Sequence, residues 1–170
     1  MRTTLTLTLA ISGLLAMPVQ AATLDLGIEI PTLSAAEYHR PYVAVYVEGA
    51  DQQVAANLAL WYQTRGSKGE GEKWLPDLRQ WWRRSGRSSE LPIDGVSGPT
   101  RPAGVQTLSF SDADSPLKNL APGQYTLVVE AVREVGGREL LKVPFTWPSA
   151  GTASAEGKSE LGTVSLTIKS

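Results

Sequence analysis

The sequence of 170 residues contains no cysteine and only one histidine, His39. The lack of cysteine excludes disulfides, thiolate metal sites, iron–sulfur clusters and thiol redox chemistry. His39 belongs to no cluster of acidic side chains at metal-ligand spacing, and no nucleophile motif accompanies it. We therefore predict a structural or solvated histidine, no metal site and no catalytic residue. The sequence therefore gives no positive indication of an enzyme.

An excess of charge of one sign is lacking too. The 16 lysines and arginines nearly balance the 17 acidic residues, which leaves a formal net charge of -1. A near-neutral chain has no general attraction to nucleic acid or to anionic membranes, so neither is a predicted partner. Positive charge is concentrated locally, because five arginines lie between residues 73 and 102: Arg79, Arg83, Arg84, Arg87 and Arg101.

Long hydrophobic runs are confined to the N-terminus. Arg2 supplies a positive charge, residues 5–16 form an apolar segment, and Val19-Gln20-Ala21 resembles a small-residue cleavage site. This pattern is typical of a secretory signal peptide and is too short for a membrane span. We predict a signal peptide over 1–21, a single domain over 22–170, and no membrane insertion after cleavage.

Alternation of apolar and polar residues predicts an all-β domain. In residues 23–30, four apolar side chains (Leu24, Leu26, Ile28 and Ile30) occupy one face, as in a half-buried strand. Strands are predicted at 23–30, 42–47, 56–63, 105–110, 125–134, 140–147 and 163–169. Regular turn signals between about seven strands predict an antiparallel sandwich similar to immunoglobulin and fibronectin type III domains, with one short helical insertion.

The connections carry their own signals. Gly136-Gly137 is predicted to form a two-residue hairpin turn, and residues 85–104 and 149–159 are predicted loops. The run from Leu120 to Tyr125, Leu-x-Pro-Gly-x-Tyr, resembles the corner before a late strand of immunoglobulin-like domains. The hydroxyl of Tyr125 is therefore expected to bond nearby backbone.

A tryptophan- and arginine-rich insertion, residues 73–104, separates the two groups of strands. Helical spacing over 74–84 places Trp74, Trp81 and Trp82 near one face. These indoles could cover an open sheet face as core residues, or they could dock a partner. Adjacent tryptophans cannot both face one core, so at least one is expected at the surface. The candidate partner-binding residues are Trp81, Trp82, Arg83 and Arg84.

The insertion ends in Asp94-Gly-Val-Ser97-Gly98-Pro99-Thr100. This run resembles the acceptor motif of exported flavoproteins, Asp-x-x-Ser/Thr-Gly-Ala-Thr, except that Pro99 replaces the usual alanine. In those proteins a FAD:protein FMN transferase links FMN to the last threonine through a phosphoester. The resemblance implies FMN on Thr100. The alternative interpretation is an unmodified surface loop rich in glycine, proline and serine.

The same resemblance implies supporting roles for neighbouring residues. Ser97 and Gly98 would shape the acceptor loop, and Asp94 would position the loop or the metal of the transferase. The FMN phosphate would be neutralised by Arg101, and Arg87 is a further candidate. Trp81 or Trp82 would shield the isoalloxazine ring.

Four runs of the chain together resemble a family of predicted periplasmic bacterial proteins that has no assigned activity. They are Ala59-Leu-Trp61, residues 73–82, residues 94–101, and residues 123–134 with the Gly136-Gly137 turn. Members of that family occur beside FAD:protein FMN transferases and PepSY-type membrane proteins. The resemblance implies periplasmic location, covalent FMN and extracytoplasmic electron transfer, with the transferase and a PepSY-type protein as partners. The alternative function is a non-catalytic accessory module that docks a membrane redox partner or a glycan through its tryptophan- and arginine-rich face.

Overall fold

The computed structural model describes residues 21–66 and 69–170, which form two sheets and a short helical segment. The strands of this part of the chain are β1 (Thr23–Ile30), β2 (Tyr42–Glu48), β3 (Val54–Tyr62), β4 (Ser97–Pro99), β5 (Gly104–Ser111), β6 (Gly123–Val132), β7 (Arg138–Trp147), β8 (Gly151–Glu156) and β9 (Thr163–Lys169). Between β3 and β4 lie a 3-10 helix (Gly71–Asp77), the helix α1 (Arg79–Arg84) and a second 3-10 turn (Gly86–Ser88).

The two sheets pack as a sandwich, which confirms the predicted fold class. One sheet has four strands in the order β5-β1-β9-β8, and the other has five in the order β4-β3-β2-β6-β7. Neighbouring strands are antiparallel except for β3 and β4, which run parallel. All but the last residue of the predicted signal peptide lies outside the described residues. No helix in the described ranges is long and apolar enough to cross a bilayer.

The main core lies between the sheets and is built from the predicted alternation. The four apolar side chains of β1 are at most 3% exposed. Trp61 of β3 and Trp147 of β7 also belong to this core, and each is 2% exposed. The tyrosine corner is confirmed, because the Tyr125 hydroxyl donates to the Ala121 carbonyl at 2.8 Å. These contacts place the strands that carry the candidate site.

A second core lies on the outer face of the five-stranded sheet. Ala44 and Tyr46 of β2 point to this side and pack under the insertion, while Val43, Val45 and Val47 face the main core. Both faces of β2 are therefore buried, as suits the central strand of its sheet. Burial of the aromatic ring raises the pKa of Tyr46 to about 12, so its phenol stays neutral.

Two predicted loops contain strands. Residues 97–99, inside the predicted loop 85–104, pair with β3 as β4, and residues 151–156, inside the predicted connection 149–159, pair with β9 as β8. The prediction of plain loops at these positions was wrong. Neither stretch has the β-branched and aromatic alternation that marks a strand, because both lie at sheet edges with few inward-facing side chains.

The hairpin between β6 and β7 turns at a different place from the predicted one. The Gly136 N–H donates to the Arg133 carbonyl at 3.0 Å, so Glu134 and Val135 are the central residues of the turn. Val135 has φ of 54°, a left-handed conformation that a β-branched side chain seldom adopts. Gly137 leaves room instead for Glu160, whose carboxylate accepts its N–H at 2.7 Å.

The turn between β8 and β9 is fastened to β7 by one carboxylate. Glu139 accepts backbone N–H groups from Lys158, Ser159 and Leu161 at 2.6–3.0 Å. Partial burial acts to raise the pKa of Glu139, but these hydrogen bonds outweigh it, and the pKa lies below its usual value. The folded-state pKa is thus depressed, so the stabilisation is present above the unfolded pKa and is lost as pH falls through the folded one.

We expect Glu139→Gln to reduce the free energy of unfolding by about 1–3 kcal/mol at neutral pH, because an amide group would face N–H donors. The difference from wild type should shrink below about pH 4. Urea titrations at several pH values measure both effects. Glu156→Gln is the matched control, since the side chain of Glu156 bonds only the Thr163 hydroxyl among the described residues. An equal loss in both variants would contradict the role of Glu139.

Candidate functional site

A groove of about 760 Å³ opens at one end of the five-stranded sheet. Here β3, β4 and β6 end and β2 and β7 begin. Its walls are formed by residues 38–40 with Tyr42, by Gln63 after β3, by the first 3-10 helix with the start of α1, by Thr100, and by the hairpin residues 132–138. We call this feature the sheet-end groove. Five chain segments that are distant in sequence meet in it, as is typical of ligand sites.

Trp74 is the exposed aromatic side chain of this groove. It lies in the 3-10 helix between β3 and α1, and its side chain is 56% exposed. The same helical segment is anchored by Leu75 and Leu78, which are fully buried. Its start is fixed by Gly71, where an added Cβ would lie only 1.9 Å from the carbonyl oxygen of Gln63. The anchored backbone therefore holds the indole at the surface.

Four arginines line the groove, and two of them are engaged in the fold. Arg133 binds Glu160 at 2.8 Å, and Arg138 binds Glu130 at 2.7 Å. Arg40 and Arg79 have no ion pair or side-chain hydrogen bond within residues 21–66 and 69–170. Both are exposed, so their guanidinium groups are available to an anion.

Carboxylates and His39 complete the polar lining. His39 places Nε2 at 3.1 Å from Glu37 and Nδ1 at 3.5 Å from Glu134. Asp77 also lines the groove. Among the described residues, no group of three or more His, Cys, Asp or Glu side chains has the geometry of a metal site.

One buried carboxylate, that of Glu130, holds two walls of the groove together. Glu130 of β6 is fully buried, and its two oxygens accept the N–H groups of Gln80 and Trp81 at 3.1 and 2.8 Å. The same carboxylate accepts from Arg138 at 2.7 Å. Glu130 therefore joins α1, which carries one wall, to the hairpin, which forms another.

Thr100, the predicted acceptor, lies in the sheet-end groove. It follows β4 directly, its N–H donates to the Tyr62 carbonyl at 3.2 Å, and its side chain is half-buried. Ser97 helps to close the preceding turn, since its Oγ accepts the Ile93 N–H at 2.9 Å. At Gly98 an added Cβ would meet only atoms 3.9 Å away, so the fold itself leaves space for a side chain there.

The other predicted cofactor residues lie elsewhere. Asp94 is exposed in the turn before β4. The guanidinium of Arg101 stacks on Trp61, 5.4 Å from the ring centroid, and Arg101 is not among the groove residues. Arg87 is exposed and is also absent from the groove lining. Neither arginine therefore contributes to the groove lining, although Arg101 directly follows Thr100 in the chain.

The predicted partner-binding residues divide into buried and exposed ones. Trp81 is 1% exposed, and its Nε1 donates to Asn57 at 2.8 Å. Arg84 binds the buried carboxylate of Glu48. Burial removes Trp81 from the role of partner contact or ring shield, and it engages Arg84 inside the fold. Arg83 is exposed, whereas Trp82 is partly buried and packs against the same core cluster as Trp81. The prediction that adjacent tryptophans cannot both face one core was therefore wrong, because both indoles reach the cluster under the insertion.

Sequence reasoning missed three side chains of the groove: Trp74 as its exposed aromatic, and Arg40 and Arg79 as arginines with no ion pair in the part of the chain that the structure describes. A signal for Trp74 did exist in the sequence. Trp74 lies at the start of the helical stretch, two residues before Pro76 and one turn before Leu78, which is buried. For Arg40 no signal existed, because it lies in a connection before β2 whose neighbours come from distant segments.

Comparison with known proteins identifies a family and nothing more specific. No curated protein and no solved structure matches the chain. The family model that matches is described as "Predicted periplasmic protein (DUF2271)", and the match extends over residues 23–163, from the first residue of β1 to the first residue of β9. The chain therefore belongs to this family of predicted periplasmic proteins.

Proposed function

We propose that the protein is a periplasmic carrier of covalently bound FMN, attached to Thr100 and used in extracytoplasmic electron transfer. The observation that carries this proposal is the position of Thr100. The last residue of the acceptor-like motif lies in the same groove as an exposed indole and two arginines that have no ion pair within the described residues. An unmodified surface loop would give no reason for these side chains to meet.

The attachment chemistry requires a separate enzyme. A FAD:protein FMN transferase would catalyse attack of the Thr100 hydroxyl on the FMN phosphorus of FAD. The Oγ–P bond forms, the P–O–P anhydride breaks, AMP leaves, and a base of the transferase takes the hydroxyl proton. Once attached, FMN supplies transfer of one or two electrons, while the protein supplies binding and electrostatics. A PepSY-type membrane protein would be the redox partner.

The residues present fit an FMN group. The volume of about 760 Å³ is within the range of small-molecule sites, roughly 300–1,000 Å³. The phosphodiester carries a negative charge, for which Arg40 and Arg79 are available. A flat ring system requires an apolar or aromatic face, which Trp74 offers. Each part of the ligand thus has a chemical counterpart in the groove.

The position of the acceptor segment is also compatible with binding to the transferase. β4 is an edge strand of three residues, and Pro99 is its exposed last residue. Proline is tolerated on edge strands because no further strand needs its missing N–H. As the outermost strand of its sheet, β4 pairs with β3 on one side and with no other described strand. Replacement of the usual alanine by Pro99 is therefore compatible with the fold.

The test is the intact mass of the exported protein after co-expression with its own FMN transferase. We expect an added mass of one FMN, located on Thr100 by peptide fragmentation, and a yellow product. Co-expression with a transferase that lacks its catalytic metal ligands is the control. An unmodified product under conditions that modify a known acceptor would overturn the proposal.

The exposure of Trp74 also supports a second candidate function, an accessory module that docks a membrane redox partner or a glycan without flavin. Because Trp81 is buried, such a docking face would use Trp74 in place of the predicted tryptophan pair, and the exposed Arg83 of α1 stays a candidate contact. This function predicts a colourless protein whose affinity for the partner falls in Trp74→Ala.

A further inference from the structure

We infer that the isoalloxazine ring of the attached FMN lies inside the sheet-end groove, stacked on Trp74, with Arg79 beside the ring or its phosphodiester. This inference rests on the proposed attachment to Thr100. Beyond that attachment, the inference specifies where the ring lies and which residues set its reduction potential. The alternative is a ring that extends into solvent from the edge of the sheet.

The first argument is the exposure of apolar side chains. Trp74 is 56% exposed and Val135 is 81% exposed, and both line the groove. They come from different walls, one from the insertion and one from the β6–β7 hairpin. A planar aromatic ring between them would remove apolar surface of both residues from water. An exclusively polar ligand would leave both exposed.

The second argument is the backbone of Val135. Its φ of 54° places a β-branched residue in the left-handed region, at the tip of the hairpin that lines the groove. Glycine would adopt this conformation without strain, and two glycines follow immediately in the sequence. Strained residues cluster at ligand sites because the surrounding contacts hold them in place. Because valine rather than glycine occupies this position, an apolar side chain lines the groove here.

The third argument is the charge of the groove. Arg133 and Arg138 are held by Glu160 and Glu130, whereas Arg79 and Arg40 have no such partner in the described part of the chain. Arg79 begins α1 and lies five residues after Trp74. A guanidinium beside a flavin stabilises the negative charge that the ring gains on reduction, and this raises the reduction potential.

The experiment uses the full exported chain, modified by its transferase, with FMN content confirmed by mass for each variant. In Trp74→Ala we expect the flavin fluorescence to rise severalfold and iodide to quench it more strongly, because a stacked indole quenches the ring and shields it from iodide. Trp82→Ala is the matched control. It removes an indole of the same insertion that does not line the groove, so the flavin signal should stay unchanged.

A second pair of variants tests the charge. Arg79→Gln should shift the flavin reduction potential to a more negative value, whereas Arg83→Gln, an exposed arginine of the same helix outside the groove, should not. FMN that is attached but fluoresces in the wild type as strongly as on a short Thr100 peptide would overturn this inference and leave the proposed function intact. Absence of FMN from the wild type would overturn both.

Discussion

Replacing Thr100 with alanine should leave the exported protein without FMN while its fold stays unchanged. The loss should be complete, because the proposed bond forms at the side-chain oxygen that alanine lacks. The fold should be unaffected, since the contact of residue 100 with β3 is made by its backbone N–H, which donates to Tyr62. Removal of such a small, half-buried side chain should change the free energy of unfolding by no more than about 0.5 kcal/mol. Intact mass and flavin absorbance measure the loss, and circular dichroism checks the fold.

Two control variants give this prediction its specificity. Thr100→Ser keeps a hydroxyl at the same position and should retain attachment, although at a lower rate if the transferase contacts the methyl group. Thr107→Ala removes an exposed threonine of β5, outside the groove, and should be modified like the wild type. Retention of one FMN by Thr100→Ala would show that another residue is the acceptor.

Trp81→Ala should lower the free energy of unfolding by about 3–5 kcal/mol, the range for removal of a large buried aromatic side chain. Trp81 is 1% exposed and packs with Leu75, Leu78 and Tyr46 in the core under the insertion. Alanine would leave a cavity there, and it would remove the hydrogen bond from the indole to Asn57. Urea denaturation followed by circular dichroism measures the change, and trypsin, which cleaves after arginine, reports whether the insertion detaches.

Trp74→Ala is the matched control for this second prediction. It removes the same side chain from the same insertion, but at a position 56% exposed, so we expect a change of less than about 1 kcal/mol. Equal stability losses in the two variants would contradict the assignment of Trp81 to the core and Trp74 to the surface. Unchanged trypsin resistance in Trp81→Ala would show that other contacts suffice to hold α1 on the sheet.

Alternation predicted the strands whose one face is buried. β1 and β9 were predicted with their observed bounds, because alternate residues such as Leu24 and Val164 face the core while their neighbours face solvent. β8 was missed since its side chains are small and most are exposed. β4 was missed because it has three residues, one of them proline, and its pairing depends on β3 rather than on its own propensity.

The candidate site was predictable only where a local motif carried it. The motif selected Thr100, and the structure places that residue in the groove. It also suggested Arg101, whose guanidinium stacks instead on Trp61. Proximity of Arg79 and Arg40 to Thr100 depends on how distant segments meet at the end of a sheet, which residue spacing does not encode. Likewise, composition could not decide which of three tryptophans stays exposed, because burial depends on the position of α1 above β2 and β6.

The carboxylate of Glu130 should make the groove rigid towards a bound ligand. Because one side chain of β6 binds both the start of α1 and Arg138 of the hairpin, two walls share a single mechanical anchor in the sheet. The walls should therefore move together rather than as independent flaps. The width of the groove is therefore set before a ring binds, and little binding free energy is lost to ordering its walls. For an electron carrier, this rigidity would also keep the reorganisation of its surroundings small each time the charge on the ring changes.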